Sequence, residues 1–243
     1  MNPLLEICVF NIETAIEAQR AGADRIELCE NYANGGTTPS YGFLKEAKEK
    51  LALPVFPMIR PRGGDFCYSK HELNIMKKDI LLCKEIGFEG IVIGLLHYYG
   101  TIDKENLLRL IDLAYPMDVT FHRAFDRCKE PLSALETIIE CGCSRILTSG
   151  QKPKAVDGKE LIQKLIEQAD ERIMIMPGSG INSSNISEIC QFTKAIEFHS
   201  SARIMKPSLF RSVNPEITEE LSFDFTEAEE IVAMKKLLIQ CFN

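Results

Sequence analysis

AGADRIE, at residues 21–27, predicts the end of a helix, a glycine turn and the start of a strand. The same pattern recurs as IGFEGIV at residues 86–92 and as CGCSRIL at residues 141–147. In each copy the glycine suits the left-handed position that closes a helix, and an apolar strand begins after three more residues. Three copies of one helix-to-strand turn predict a chain in which helices and strands alternate.

The remaining apolar runs complete a regular series of eight strands, separated by segments with helical periodicity. Start signals mark several of these helices, such as the capping box Ser69-x-x-Glu72. Strands without clean alternation are typical of a parallel sheet buried on both faces. The series predicts an α/β fold, a single-domain (β/α)8 TIM barrel over residues 1–243, with a doubly wound open sheet as the alternative. The predicted strands are 4–9, 24–29, 54–60, 90–95, 118–122, 144–148, 172–177 and 195–199.

The charge and cysteine content narrow the classes of function. A net charge of −7 and a pI near 5.3 argue against a nucleic-acid surface and against a polybasic membrane patch. The first residues, MNPLLEICVFN, lack the basic segment of a signal peptide. The nine cysteines are odd in number and scattered, without a CxxC, which predicts free thiols in a reducing cytoplasm.

Charged and polar side chains interrupt five of the apolar strands at comparable places. Burying a charge costs several kcal/mol unless it is paired or used, and the functional residues of barrels gather where the strands end. We therefore predict one cavity at the C-terminal face, in which Arg60 lies beside two carboxylates. An ion-pair network that only fixes the strand register is the alternative. The predicted acid–base set is Glu6, Glu27, Arg60, His122, Glu197 and His199.

A second group of residues predicts an anion site on the same face. Arginines follow strands 3, 5 and 8, and local arginine enrichment in an acidic protein favours an anionic ligand. Glycine turns follow strands 6 and 7, where barrels often bind phosphate through backbone N–H groups. Tight turns with no ligand are the alternative. The candidates are Arg62, Arg123, Ser149, Gly150, Gly178, Ser179, Gly180 and Arg203.

Cys8 and Cys29 are the metal candidates. They lie two residues past Glu6 and Glu27, on adjacent predicted strands and on the same face. A pair of thiolates at the barrel mouth would suit Cu(I), which prefers sulfur ligands. The alternative is that both are small buried hydrophobic residues of the core.

Residues 205–225 contain two prolines and little periodicity. They predict a long loop between strand 8 and the last helix. Such loops at the top of a barrel are often lids. The alternative is an irregular surface loop without such a role.

Six segments together resemble the CutC family of copper homeostasis proteins over nearly the whole chain. The segments are ADRIELC at 23–29, GGTTPS at 35–40, IRPRGGDF at 59–66, VTFHRAFD at 119–126, LTSG at 147–150 and EFHSSAR at 197–203. One departure is Ser179, where the family commonly has glycine. The resemblance implies a cytoplasmic barrel, a homo-oligomer, that binds intracellular copper.

Two hypotheses from different classes remain at this stage. One is a Cu(I)-binding protein that uses Cys8 and Cys29. The other is an enzyme of isomerase or lyase type acting on a small anionic or phosphorylated substrate, in which Glu6, Glu27 or His122 moves protons. The barrel fold by itself does not choose between them, because it hosts many chemistries. No particular reaction follows from these residues.

Overall fold

The computed structural model describes residues 3–212, 216 and 221–242. Eight parallel strands alternate with helices along the chain, as the turn pattern predicts. The strands β1 to β8 are Leu4–Val9, Arg25–Leu28, Val55–Pro57, Gly90–Ile93, Asp118–Phe121, Arg145–Thr148, Met174–Pro177 and Glu197–Ser200.

Each of these strands is followed by a helix on the outside of the sheet. The helices α1 to α8 are Ile12–Arg20, Tyr41–Lys50, Lys70–Ile86, Lys104–Ala114, Pro131–Cys141, Lys159–Ala169, Ile186–Thr193 and Ala228–Phe242. Short 3-10 turns occupy Tyr32–Asn34, Arg123–Arg127 and Ala155–Gly158.

The strand order follows the chain order around a ring. One sheet has the order β3-β2-β1-β8 and the other β4-β5-β6-β7. A parallel bridge between Met58 and Val92 joins β3 to β4, and β7 lies beside β8. A doubly wound sheet would reverse its strand order at a switch point. The sequential order excludes that alternative and confirms the predicted barrel.

Successive side chains of each strand face two different interiors, which are the core between the sheet and the helices and the inside of the barrel. Leu5 and Ile7 of β1 point outward and pack against the helices in the main hydrophobic core. Their neighbours Glu6 and Cys8 point into the barrel. Each fully buried leucine or isoleucine contributes roughly 1.5–3 kcal/mol. The outer core therefore holds the barrel together and leaves the inner positions available for polar side chains.

The helix ends match the sequence signals. Ser69 and Glu72 form the predicted capping box at the start of α3. Gly22, Gly87 and Gly142 follow α1, α3 and α5 with φ values of +94°, +89° and +88°. An L side chain rarely adopts this conformation, so these three turns favour glycine.

The segment after β8 is more ordered than predicted. Part of the expected loop at 205–225 belongs to an antiparallel hairpin of β9 (Arg203–Lys206) and β10 (Phe223–Thr226). Cross-strand pairing satisfies its backbone groups despite the weak periodicity of the sequence. Residues 213–215 and 217–220 of the expected loop lie outside the described part of the chain. Among the described helices, none is long and apolar enough to cross a membrane.

Candidate functional site

A network of alternating charges lies inside the barrel. The carboxylate of Glu6 contacts Nε of Arg25. Nη2 of the same guanidinium lies 2.6 Å from Oε2 of Glu197, and that oxygen lies 3.1 Å from Nε of Arg145. Both arginines stack over Phe56, with their Cζ atoms 5.1 and 5.0 Å from its ring centroid. Two carboxylates and two guanidinium groups therefore compensate one another in the interior.

His199 connects this network to the second buried carboxylate. Its Nδ1 lies 2.7 Å from Oε1 of Glu6, and its Nε2 lies 3.8 Å from Oε2 of Glu27. Burial opposes the ionised form of Glu6, but Arg25 and His199 hold the pKa of Glu6 at about 2. Burial also opposes protonation of His199, but Glu27 and Glu6 raise the pKa of His199. The imidazolium form is therefore favoured between the two carboxylates.

Two cysteine sulfurs lie directly beyond this histidine. Sγ of Cys8 lies 3.7 Å from Sγ of Cys29, which lies 3.5 Å from Oε2 of Glu27. The contact with Cys29, together with burial, raises the pKa of Cys8 well above its usual value, and burial raises the pKa of Cys29 to about 12. Both sulfurs are thus neutral thiols at pH 7 in the absence of a metal ion.

One group of donor atoms has the spacing of a metal site. A sulfur of Cys8, a carboxylate oxygen of Glu27 and a ring nitrogen of His199 all lie within 4.8 Å of one another. Burial raises the pKa of Glu27, and its Oε1 has no hydrogen-bond partner among the described residues. A buried oxygen without a partner is costly, so this oxygen is available to a ligand.

The structure brings five of the predicted site residues into one sulfur-lined centre and adds two that the sequence reasoning missed. The five are Glu6, Cys8, Glu27, Cys29 and His199, and Glu197 joins them through Arg25. The missed residues are Arg25 and Arg145, which begin their strands. Arg25 could have been predicted from its position two residues before Glu27, because residues two apart on a strand face the same side.

Arg60 does not contact the two carboxylates, contrary to expectation. Its guanidinium donates to the carbonyl oxygens of Asn34, Gly36 and Gly64 at 2.6, 2.7 and 2.9 Å. Arg60 lies three residues past the end of β3, so its side chain reaches the loops at the mouth. Arg25, which pairs with Glu6 in the strand register, takes the expected place.

His122 lies apart from the sulfur-lined centre, next to Phe66, with the two ring centroids 5.0 Å apart. Its Nδ1 accepts a hydrogen bond from the backbone N–H of Ala124 at 3.1 Å. Burial, and the charge of Arg60, lower the pKa of His122 to about 3. The ring is therefore neutral at pH 7, with its proton on Nε2.

Replacing His122 with asparagine is expected to reduce the acid sensitivity of the fold. In the unfolded chain the histidine binds a proton below about pH 6.5, and in the folded chain only below about pH 3. Stability is therefore lost as the pH falls through this window, by about 2 kcal/mol at pH 5. Asparagine keeps an acceptor for the Ala124 N–H but does not titrate. Urea unfolding at pH 7.5 and pH 5 measures the difference, and equal losses in both proteins would contradict the assignment.

The arginines of the predicted anion site already have acidic partners. Arg62 lies 2.5 Å from Glu72 and 2.9 Å from Asp65. Nε of Arg123 lies 2.8 Å from Asp126, and Arg203 lies 2.6 Å from Asp224. An external anion at any of these three would compete with a carboxylate of the protein. Arg123 also donates to the hydroxyl of Ser149 at 2.9 Å, and Arg203 donates to the hydroxyl of Tyr32 at 2.6 Å.

The glycine turns also have internal partners. Oδ1 of Asp126 accepts from the backbone N–H of Ser149 at 3.0 Å, so a carboxylate of the protein occupies the turn after β6. Gly150, in that turn, packs against the backbone of Gly158. After β7, the N–H of Gly178 donates to Thr148 at 2.9 Å, the hydroxyl of Ser179 donates to Pro153 at 2.8 Å, and Gly180 accepts from Asn185 at 2.8 Å. Hydrogen bonds within the protein therefore already engage these polar groups of the turns.

Comparison with known proteins places this barrel in a family. The sequence model of the CutC family matches residues 3–204. The chain belongs to the CutC family. A human protein named copper homeostasis protein cutC homolog is 47% identical over 92% of this chain and 82% of its own length. A CutC family protein of Chromobacterium violaceum is 42% identical over 98% of this chain and 99% of its own.

The solved structures agree with the family and the fold. A crystal structure of a CutC protein from Streptococcus agalactiae matches this chain with a TM-score of 0.78 and 36% sequence identity. The match covers 82% of this chain and 98% of that protein. Barrels of enzymes at 8 to 16% identity, with TM-scores of 0.57 to 0.61, show the fold alone. The hypothesis of an isomerase or lyase therefore gains no support from them.

Proposed function

We propose that this CutC protein acts in copper homeostasis by binding Cu(I) inside the barrel, in a reducing cytoplasm. Cys8 and Cys29 would hold the ion, with Glu27 and His199 beside it. The observation that carries the proposal is the spacing of the donor atoms: the two sulfurs lie 3.7 Å apart, and the Cys8, Glu27 and His199 donors lie within 4.8 Å. All nine cysteines are free thiols, as a reducing compartment requires.

The donor chemistry favours Cu(I) over harder ions. Cu(I) selects soft sulfur ligands, whereas Mg²⁺ and Ca²⁺ require several oxygen ligands. The two thiols must lose their protons when the ion binds, because the thiolate is the ligand. Two thiolates and one Cu(I) carry a net negative charge. Nε2 of His199 would ligate the ion only after the ring loses a proton as well, and the remaining proton on Nδ1 would face Glu6.

Burial explains how the ion could be held and still exchanged. Cys8 is 8% exposed and Cys29 is 1% exposed, so Cys8 is the more accessible of the two residues. Phe56, Met58 and Val92 complete the apolar surroundings of the sulfurs. Such surroundings limit access of water and oxidants, and an ion would transfer from a partner through Cys8 first.

Replacing both Cys8 and Cys29 with serine is expected to abolish high-affinity Cu(I) binding. Serine keeps the size of the side chain but removes the soft ligand. Competition with a chromogenic Cu(I) chelator, under anaerobic conditions, measures the stoichiometry and affinity. The wild type should bind one ion that the chelator does not remove, and the double variant should bind none.

The matched control replaces Cys141 and Cys143 with serine. These two buried thiols belong to the outer core, away from the barrel interior, so their loss should leave the stoichiometry unchanged. Circular dichroism verifies that both double variants are folded. If the Cys8 and Cys29 variant retained its bound ion, this site would be rejected.

A further inference from the structure

Three buried polar atoms without partners gather near Arg60. Among the described residues, the buried side-chain atoms that lack a hydrogen bond include Nε of Arg60, the hydroxyl of Tyr68 and Nε2 of His122. The fourth such atom, Oε1 of Glu27, belongs to the sulfur-lined centre. Native structures satisfy most buried polar groups, because each one left without a partner costs roughly 1–3 kcal/mol. A group of three therefore indicates a place where an external polar group can bind.

The strand register places these residues at one level of the barrel mouth. Met58, Val92 and Thr120 lie two positions before Arg60, Gly94 and His122, respectively. In the strand register Met58 pairs with Val92, and Val92 pairs with Thr120. Side chains two apart face the same side, so all three positions face the interior. A Cβ on Gly94 would lie 2.4 Å from the imidazole of His122. The glycine therefore lets the His122 ring lie over the strand that separates it from Arg60.

Phe66 connects the guanidinium and the imidazole. Cζ of Arg60 lies 5.0 Å from the centroid of the Phe66 ring, and the His122 ring centroid lies 5.0 Å from the same point. Burial raises the pKa of Tyr68 to about 12, and the charges of Arg60 and Arg62, together with the proximity of the Arg60 guanidinium to the hydroxyl, oppose this shift. The Tyr68 hydroxyl thus keeps its proton and lies within the electric field of Arg60.

All three atoms are donors. Nδ1 of His122 accepts from Ala124, so the neutral ring carries its proton on Nε2. Nε of Arg60 always carries a proton, and the Tyr68 hydroxyl can donate. The partners of the Arg60 guanidinium are backbone carbonyl oxygens. Within the described part of the chain, this buried charge has no carboxylate to compensate it.

We propose that the mouth of the barrel binds a small oxyanion, such as a carboxylate or phosphate group, at the ends of β3 to β5. Nε of Arg60, Nε2 of His122 and the hydroxyl of Tyr68 would donate to its oxygens. An anion fits better than water alone, because a buried guanidinium without a counter-charge is costly and its strongest partners are oxyanions. The site offers three donors and no acidic side chain, whereas the sulfur-lined centre offers soft and acidic ligands, so the two take ligands of opposite charge.

Thermal unfolding of the metal-free, full-length protein tests the site at pH 7.5. Inorganic phosphate and acetate are titrated separately, with chloride at matched ionic strength as the control. At least one of the two should raise the Tm beyond the chloride effect, because a ligand of the native state stabilises it. The concentration dependence gives a dissociation constant. This constant should rise about tenfold in Tyr68→Phe, which removes one donor, and in His122→Asn, whose shorter amide does not reach the position of Nε2.

Tyr99→Phe is the matched control, because it deletes the same hydroxyl from a side chain that is 87% exposed. Its anion response should equal that of the wild type. Without added anion, Tyr68→Phe should melt close to the wild type, because the deleted hydroxyl makes no hydrogen bond of normal geometry to the described residues. A shift no larger than that with chloride would mean that water fills the space and would overturn the proposal. An equal response in Tyr68→Phe and the wild type would place the anion elsewhere and would overturn it too.

Discussion

Replacing Arg25 with methionine is expected to lower the free energy of unfolding by about 3–5 kcal/mol, because it leaves buried carboxylates without their counter-charge. Glu6 is fully buried, and its pKa of about 2 means that it is ionised at neutral pH. Glu197 would keep Arg145 as a partner, but Glu6 would keep only His199. Methionine fills a similar volume, so the loss reports the charge and not a cavity. Urea unfolding at pH 7.5 measures the change.

The control is a surface ion pair of similar geometry. Arg109 lies 2.6 Å from Glu105 on α4, and both side chains are exposed. Arg109→Met should therefore cost no more than about 0.5 kcal/mol. A double variant, Arg25→Met with Glu6→Gln, should recover part of the loss, because the amide removes the uncompensated charge. If Arg25→Met cost as little as Arg109→Met, the interior network would not be holding the strands in register.

Replacing Gly150 with alanine is expected to cost about 3 kcal/mol or more, from a steric clash together with backbone strain. Its φ is +66°, and a Cβ there would lie 2.2 Å from the carbonyl oxygen of Gly158. The contact is with backbone, so no side chain can rotate away. The turn after β6 would have to open, and the Asp126 hydrogen bonds to this turn would be lost with it.

Two further glycines separate the sources of this cost. Gly142→Ala introduces a left-handed alanine at φ +88° with no atom within 4 Å, so it should cost only about 1 kcal/mol. Gly42→Ala, on α2 with open space around it, should stabilise the protein by about 0.5–1 kcal/mol. In thermal and urea unfolding, the stability should be lowest for Gly150→Ala, intermediate for Gly142→Ala and highest for Gly42→Ala. A loss in Gly150→Ala no greater than that in Gly142→Ala would show that the turn can relax.

Much of the architecture could be read from local patterns. The glycine turns, the spacing of the apolar runs and the capping box predicted seven of the eight strands to within two residues at each end, because these signals act over a few neighbouring positions. The third strand, predicted as 54–60, ends three residues earlier, at Pro57. Parity along the strands also predicted that Cys8 and Cys29 face the same side, and their sulfurs lie 3.7 Å apart. Adjacent parallel strands leave little freedom for such pairs.

The partners of the charged side chains could not be predicted in the same way. Arg25 and not Arg60 contacts Glu6, because the stagger between adjacent strands decides which residues share a level of the barrel. Arg123 and Arg203 face carboxylates that lie 3 and 21 positions away in the chain, and loop conformations bring these together. The sequence alone determined which side chains enter the barrel, through alternation. Only the tertiary structure decided which of them neutralise each other and which remain available to a ligand, because pairing depends on distances across the fold.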